Sequence, residues 1–522
     1  MIREISRRKC LRLWLCKPEY MERTKWENRF VLLRFWKKNY MMFLKDLKRF
    51  KMERLYDKLK AYSESDFYAF HMPGHKRNKA LLGIELPYDL DITEIDGFDD
   101  LHHADGILKE EQERAARVFG AEESHFLVNG STAGILSAVM GCTHRGDKIL
   151  VARHCHKSIY HAIYMNGLVP RYVYPEFDIS MHMNGEISKE DVAKALAAEP
   201  DIKAVVIVSP NYDGVVSDVK GIAEVAHSYR IPLIVDEAHG PHFGFHPAFP
   251  GRANDLGADV VINSLHKTLP SLTQTAILHI NGKLANRRRI KKYLDMLQSS
   301  SPSYIFMASL DACVDFLDGK CEEAFELYVE RLQKFREELK PLQHLQILRT
   351  EHYDISKVVI STANANITSP ELAERLRKEY HLEMEMTGGT YVLAMTTVAD
   401  TQEGLDRLKS ALLEIDDQLE AKTAVSGSIE ISGELPRLEQ YFTPQEAAER
   451  EEDGEAEEIP WKESEGHISL EYAYLYPPGS PVIVPGERIS REAVELLCYY
   501  ETQNLQIEGI QTEGKIKVWK HE

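Results

Sequence analysis

No stretch of about 18 apolar residues occurs anywhere in the 522-residue chain, so nothing in it reads as a membrane-spanning helix. Cysteine is sparse: seven residues, at 10, 16, 142, 155, 313, 321 and 498, form no Cys-x-x-Cys pair. An odd, dispersed set argues against a disulfide framework or a zinc site and suits reduced thiols in a cytoplasm. Net positive charge is missing too. The formal charge of −18 runs against the basic footprint that general nucleic-acid binding needs. Internal repeats and long low-complexity tracts are absent. What is left is a globular composition, 43% apolar, long enough for two or three domains with ample core.

The charge is unevenly spread. Residues 1–51 hold sixteen Lys and Arg against five Asp and Glu, together with Trp14, Trp26 and Trp36. Such a head could be a basic targeting or membrane-surface helix. Its apolar positions keep no steady period, however, and it lacks the apolar core of a secretory signal. It is expected to lie outside the working fold, with Met52, which opens the amphipathic start Met-Glu-Arg-Leu-Tyr-Asp-Lys-Leu-Lys, as the native initiator.

From 125 to 280 short β-branched runs alternate with helical stretches. Strands are expected at 125–128, 148–152, 204–209, 233–236, 260–263 and 276–280, and helices at 132–142, 157–166, 188–198 and 218–229. Strands separated by helices imply right-handed crossovers and a largely parallel sheet, with ligands beyond the carboxyl ends of the strands. A long helix at 321–339 precedes a smaller α+β region at about 345–420. The expected divisions are a basic extension (1–51), a large domain (52–310), a small α+β domain (311–421), a linker and solvated acidic segment (422–465) and a C-terminal domain (466–522).

Three strand ends carry the chemistry. Asn263-Ser264-Leu265-His266-Lys267 follows one apolar run, and Asp236-Glu237-Ala238-His239-Gly240 ends another. Asn129-Gly130-Ser131-Thr132-Ala133-Gly134 opens a helix. Lys267 can form a Schiff base if desolvation lets its amine shed a proton. Asp236, one strand–helix–strand unit earlier, can face a pyridinium nitrogen. Gly130, Ser131 and Thr132 can cradle a phosphate at a helix N-terminus, with Ser264 and His266 completing the cup. One of His154, His156 and His161 can stack on a ring, and His239 can approach it. These are the parts a protein supplies to pyridoxal 5'-phosphate. They serve decarboxylases, aminotransferases and aldol-cleaving enzymes alike, and a catalytically silent binder of the cofactor would carry them too.

The ordered motifs narrow that choice. Phe70-His71-Met72-Pro73-Gly74-His75-Lys76, Asp91-Ile92-Thr93-Glu94, His154-Cys155-His156-Lys157-Ser158, Ser264-Leu265-His266-Lys267, Ser301-Pro302-Ser303-Tyr304 and the run from Tyr476 to Glu487 (Tyr-Pro-Pro-Gly-Ser-Pro-Val-Ile-Val-Pro-Gly-Glu) stand beside those above. With them the chain resembles the Orn/Lys/Arg decarboxylase family, in its short form without a wing domain, from about residue 66 onward. The resemblance implies an aminotransferase-like, fold-type-I α/β architecture: a mostly parallel seven-stranded sheet in the large domain and smaller α+β C-terminal domains. It implies pyridoxal phosphate on Lys267, with Asp236 as pyridinium partner, His156 as stacking ring and His239 beside it. Gly130, Ser131, Thr132, Ser264 and His266 would hold the phosphate. His154 departs from the pattern, where relatives usually carry Asn.

The implied reaction is α-decarboxylation of a basic amino acid in the cytoplasm, arginine to agmatine and CO2 in polyamine biosynthesis first, lysine or ornithine otherwise. The implied assembly is a homodimer or higher oligomer with shared active sites, Ser303 and Tyr304 serving the neighbouring subunit. Glu487 is the candidate anion for the distal cation of the substrate. An aminotransferase would instead need an arginine clamp, for which Arg153 and Arg171 are candidates.

Overall fold

The computed structural model describes residues 54–178, 183–421, 434–475, 479–502 and 505–520. The chain divides into Met1–Arg54 and Leu55–Glu522, and only the second unit is treated below. The expectations for residues 1–51 and for Met52 lie outside the described residues.

Seven strands form the central sheet: β1 (Glu123–Leu127), β2 (Lys148–Ala152), β3 (Val169–Val173), β4 (Val205–Val208), β5 (Leu233–Asp236), β6 (Val260–Asn263) and β7 (Ala276–Ile280). Their order is β1-β7-β6-β5-β4-β2-β3. The five from β6 to β3 run parallel; β7 is antiparallel to both its neighbours, so β1 at the far edge runs in the same direction as the five. Every residue of β4, β5, β6 and β7 is buried. That is why these strands read as continuous apolar runs rather than alternating ones: helices cover both faces of a parallel sheet. The expected mostly parallel seven-stranded α/β fold is present. The strand that the run of apolar residues did not announce is β3, Val-Pro-Arg-Tyr-Val, whose Pro170 is tolerated because β3 lies at the sheet edge.

Pairing fixes where the strand ends fall. Val208 pairs with Asp236, and Asp236 with Ile262, so β4, β5 and β6 stop side by side. The helix Gly130–Cys142 packs beneath them closely enough that a Cβ on Gly134 would lie 2.6 Å from Leu127 and 3.3 Å from Ile262.

The core of the large body continues past residue 310. The helix Tyr304–Leu317 and the first half of the helix Glu322–Glu338 bury Tyr304, Leu310, Phe325 and Leu332 with Leu55, Leu108 and Phe126. A four-stranded antiparallel sheet follows, built around Lys357–Ser361 and Tyr391–Met395 and covered by the helices Ser369–Tyr380 and Gln402–Asp416. The stretch 422–465, expected as a linker and solvated acidic segment, carries regular structure in its described part. Pro444–Glu452 is a helix with a capping box from Thr443, and Ala456–Pro460 pairs antiparallel with Lys515–Trp519. Backbone pairing with the last strand outweighs the local charge and makes this stretch part of the C-terminal body.

Candidate active site

At the end of β6 the chain turns through Ser264 into a one-turn helix, Leu265–Thr268, which aims Lys267 across the strand ends. Its Nζ lies 2.8 Å from His239 Nε2. Burial holds the lysine below its ordinary ionisation range, against the opposing pull of Asp236. Asp236, the last residue of β5, is itself pushed up by burial while the Lys267 charge pulls it down. The two side chains expected to meet one ring therefore feel each other directly. His239 follows three residues on, kept neutral by burial and by the cations Lys267 and Lys357.

His156 caps the helix Lys157–Met165, its Nδ1 accepting from the Ser158 amide at 3.2 Å with the Ser158 hydroxyl at 2.9 Å. Burial and then the nearby Lys267 push it down to about 4, so it presents an uncharged ring. Its Nδ1 contacts fix the imidazole and make it a flat neutral face rather than an exposed base. His154 is buried and His161 is exposed, so neither competes for that role.

A phosphate would find a fitting seat. The Ser264 hydroxyl is fully buried without a hydrogen-bond partner. An orphaned buried hydroxyl costs about 1–3 kcal/mol unless a ligand takes it up. The helix Gly130–Cys142 begins at Asn129 without a side-chain cap, leaving its N-terminus to Gly130, Ser131 and Thr132. Gly130 adopts φ +73°, which only glycine takes without strain, and its amide donates to the Gln274 carbonyl at 3.0 Å. His266 is oriented by its Nδ1 on the Thr275 carbonyl at 2.8 Å.

Three expected residues stand elsewhere. Glu487 is fully buried, with both carboxylate oxygens on Arg153, at 2.7 and 2.8 Å, and Oε2 also accepting the Val484 amide. An acid spent on a fully buried guanidinium cannot serve as the anion for a substrate cation. The same pair removes Arg153 as a carboxylate clamp, and Arg171 is taken by Glu199. Tyr304 is buried within its own chain, donating its hydroxyl to the Asp99 carbonyl, and so does not reach out to a neighbour. Ser303 caps that helix, its hydroxyl accepting from the Phe306 amide at 3.4 Å.

Residues unremarked in the sequence complete the site. Tyr212, on the loop after β4, lies with its ring centroid 4.5 Å from that of His239 and 5.9 Å from Lys267 Nζ. Its hydroxyl donates to Glu385, an exposed acid near enough to bias both Lys267 and Lys357. Lys357 is fully buried, with Nζ 3.4 Å from His239 Nδ1. A lysine as the first residue of a wholly buried strand was the available signal.

The sequence and the fold have counterparts. The family model described as the Orn/Lys/Arg decarboxylase major domain matches residues 53–363, and that of the C-terminal domain matches 433–514. The chain belongs to the Orn/Lys/Arg decarboxylase family. It is 34% identical over 471 residues to the arginine decarboxylase of Bacillus subtilis (strain 168), covering 87% of this chain and 95% of that protein. It is 25% identical to the lysine decarboxylase LdcA of Pseudomonas aeruginosa, over 83% of this chain and 73% of that protein. Among solved structures it shares the fold of the constitutive lysine decarboxylase of Escherichia coli, with a TM-score of 0.77 at 21% identity, over 97% of this chain and 87% of that one. As a member of this family, the decarboxylase is a fold-type-I enzyme acting on amino acids.

Proposed function

We propose that the decarboxylase holds pyridoxal phosphate on Lys267 and removes the α-carboxylate of arginine, giving agmatine and CO2. The observation that carries this reading is the meeting of Lys267 with Asp236 and His239 at the ends of adjacent strands, beside a buried hydroxyl that lacks a partner. Bound there, the cofactor would supply an electron sink for the pair left when CO2 departs.

The chain's own residues do the rest. Asp236 would keep a ring nitrogen protonated, and His156 would cover one ring face. Ser264, His266 and the amides and hydroxyls of Ser131 and Thr132 would fix the phosphate, with Gly130 shaping the turn through its bond to Gln274. Lys267, whose ammonium is disfavoured by burial, would be the group that exchanges with the substrate amine and returns a proton to the α-carbon. Glu385, rather than Glu487, is the exposed acid able to meet a guanidinium at this mouth. The absence of a free arginine clamp at Arg153 and Arg171 favours decarboxylation over transamination of a diacid. Arginine is preferred because the relatives at 32–34% identity include several named arginine decarboxylases.

The enzyme is further proposed to be a cytoplasmic homodimer. The cysteines described as free suit a reducing compartment, and a run of exposed aromatic and aliphatic side chains near residues 67–86 suits a second copy.

The deciding experiment measures CO2 release from arginine, lysine and ornithine with the purified holoenzyme. Arginine is expected to give the highest kcat/KM, Lys267→Ala to lose both colour and turnover, and Glu385→Gln to raise KM for arginine about tenfold. Keto-acid in place of CO2, or unchanged colour in Lys267→Ala, overturns the assignment.

A further inference from the structure

His239 is held between two lysines. Its Nε2 faces Lys267 Nζ at 2.8 Å and its Nδ1 faces Lys357 Nζ at 3.4 Å, so one imidazole bridges two buried amines, one following β6 of the large sheet and one from the four-stranded sheet. A lysine ammonium buried in protein is costly, and two side by side are costlier still. Because an imidazole can accept at one nitrogen while it donates at the other, the bridge lets a single proton serve both amines.

We propose that Lys357 is the proton partner of Lys267, the two amines sharing one proton through the His239 ring and Lys357 holding it while Lys267 is the free base. The transfer balances. The Lys267 ammonium gives a proton to His239 Nε2 as the Nδ1 proton of the same ring passes to the neutral Lys357 amine. The ring ends as the other neutral tautomer, and the return reverses each move.

The surroundings set the direction. Around Lys357 stand Asp354, Asp213 and Glu385. Asp354 accepts from Ser356 N and Ser356 Oγ and pairs with His242 Nε2 at 3.1 Å; burial works against its charge, yet those partners hold the carboxyl below its usual range. Asp213 accepts the Tyr391 hydroxyl at 2.6 Å, and burial raises it to about 6. Around Lys267 stand Asp236, Glu385, His156 and His266, and the histidines are neutral. Apart from Asp236, the acid that a pyridinium would occupy, Lys267 has only Glu385, which it shares with Lys357, whereas Asp354 and Asp213 favour the Lys357 cation alone. Burial lowers Lys357 to about 8, with Asp354 opposing and Lys267 adding, which leaves it able both to take and to give a proton near neutral pH.

Lys357 thus acts through His239 and is a positioning residue. The proposal rests on Lys267 being the working lysine, and its test is independent of CO2 release. Apoprotein would be labelled with trace acetic anhydride from pH 6 to 10, and modification of the Lys267 peptide quantified by mass spectrometry. Wild-type Lys267 is expected to become reactive below the ordinary lysine value of 10.5. In Lys357→Met, the lone Lys267 must carry the proton itself, and its labelling at pH 8 is expected to fall about tenfold, one unit of upward displacement. Lys357→Arg keeps a cation at that place and is expected to keep the low inflection, a rescue that mere packing at 357 would not give. A wild-type inflection at the ordinary value overturns the proposal whether or not the variants fold. So does a folded Lys357→Met with unchanged labelling, or an Arg variant that behaves like Met. Failure of apoprotein to bind pyridoxal phosphate would overturn the proposed function instead and leave the labelling result to stand alone.

Discussion

His154 is buried with Nδ1 lacking a partner, and burial pushes it down to about 4. An unfolded chain would protonate this imidazole near its ordinary 6.5. The unfolded state therefore binds the extra proton first as pH falls, and folding stability is lost between about 6.5 and 4. His154→Asn removes that titration while every other group keeps its own. Between pH 7 and pH 5 the wild type is expected to lose about 2 kcal/mol more unfolding free energy than the Asn variant, from about 1.4 kcal/mol per pKa unit. Urea titrations at both pH values check it, and parallel losses in the two proteins would refute it. At this scale the sequence was informative where a residue's role is set by its own strand end. Lys267, Asp236, His239 and His156 lie within a few residues of the turns that aim them. Glu487 was misread because its partner Arg153 is 334 positions away, and no local pattern reports so distant an ion pair.

The loop from β4 to the helix Val219–Ser228 shows the same limit for elements. It offered only a strand end in the sequence, yet it delivers Tyr212 and Asp213 to the site and clasps the segment that leads into the strand Lys357–Ser361. Val215 bridges to Tyr353, and Asp354 N donates to the Gly214 carbonyl at 2.8 Å. The Asn211 side chain holds the turn by accepting from Gly214 N at 3.0 Å and Val215 N at 2.9 Å. Gly214 has φ +103°, and a Cβ there would sit 2.7 Å from Lys357 Cγ. Gly214→Ala meets both backbone strain and the lysine stem, a cost of about 3 kcal/mol. Gly257 provides the control: φ +99°, with the nearest atom the Ala223 Cβ at 3.4 Å. Gly257→Ala is expected to lower stability by about half as much and to leave Lys267 labelling untouched, whereas Gly214→Ala displaces Lys357 and shifts that labelling upward. Equal behaviour of the two variants would mean that the Lys357 stem does not depend on this turn. Helices and most strands of the large sheet were legible because apolar periodicity reports burial; loops such as this one carry no period, and their roles are decided by what they touch.

Among the described residues, exposed apolar side chains are densest along one short stretch, between the helices Leu55–Ser63 and Ile107–Phe119. Phe70 is 90% exposed, Leu81 74%, Tyr68 71% and Phe67 68%, with Met72 and Leu82 close behind. Single exposed apolar residues are ordinary, but a contiguous run of aromatic and aliphatic side chains is what a lone soluble chain avoids. These residues surround the His71–Lys76 turn, where His75 pairs with Asp91 at 3.2 Å and stacks on Tyr88 at 4.4 Å between ring centroids, so the segment is locally ordered rather than a loose tail. An ordered apolar surface has most to gain from a self-complementary partner, and a two-fold pairing of identical chains is the commonest such solution. Light scattering is therefore expected to give twice the 59.8 kDa chain mass for the wild type. Phe70→Glu combined with Leu81→Glu should give a folded monomer with unchanged circular dichroism, because neither residue contributes to the core. A wild type that scatters as a single 59.8 kDa chain at micromolar concentration refutes the dimer. If the sites are shared, the monomeric variant should also lose turnover while retaining the Lys267 titration, since the lysine, Asp236, His239 and Lys357 all come from one chain.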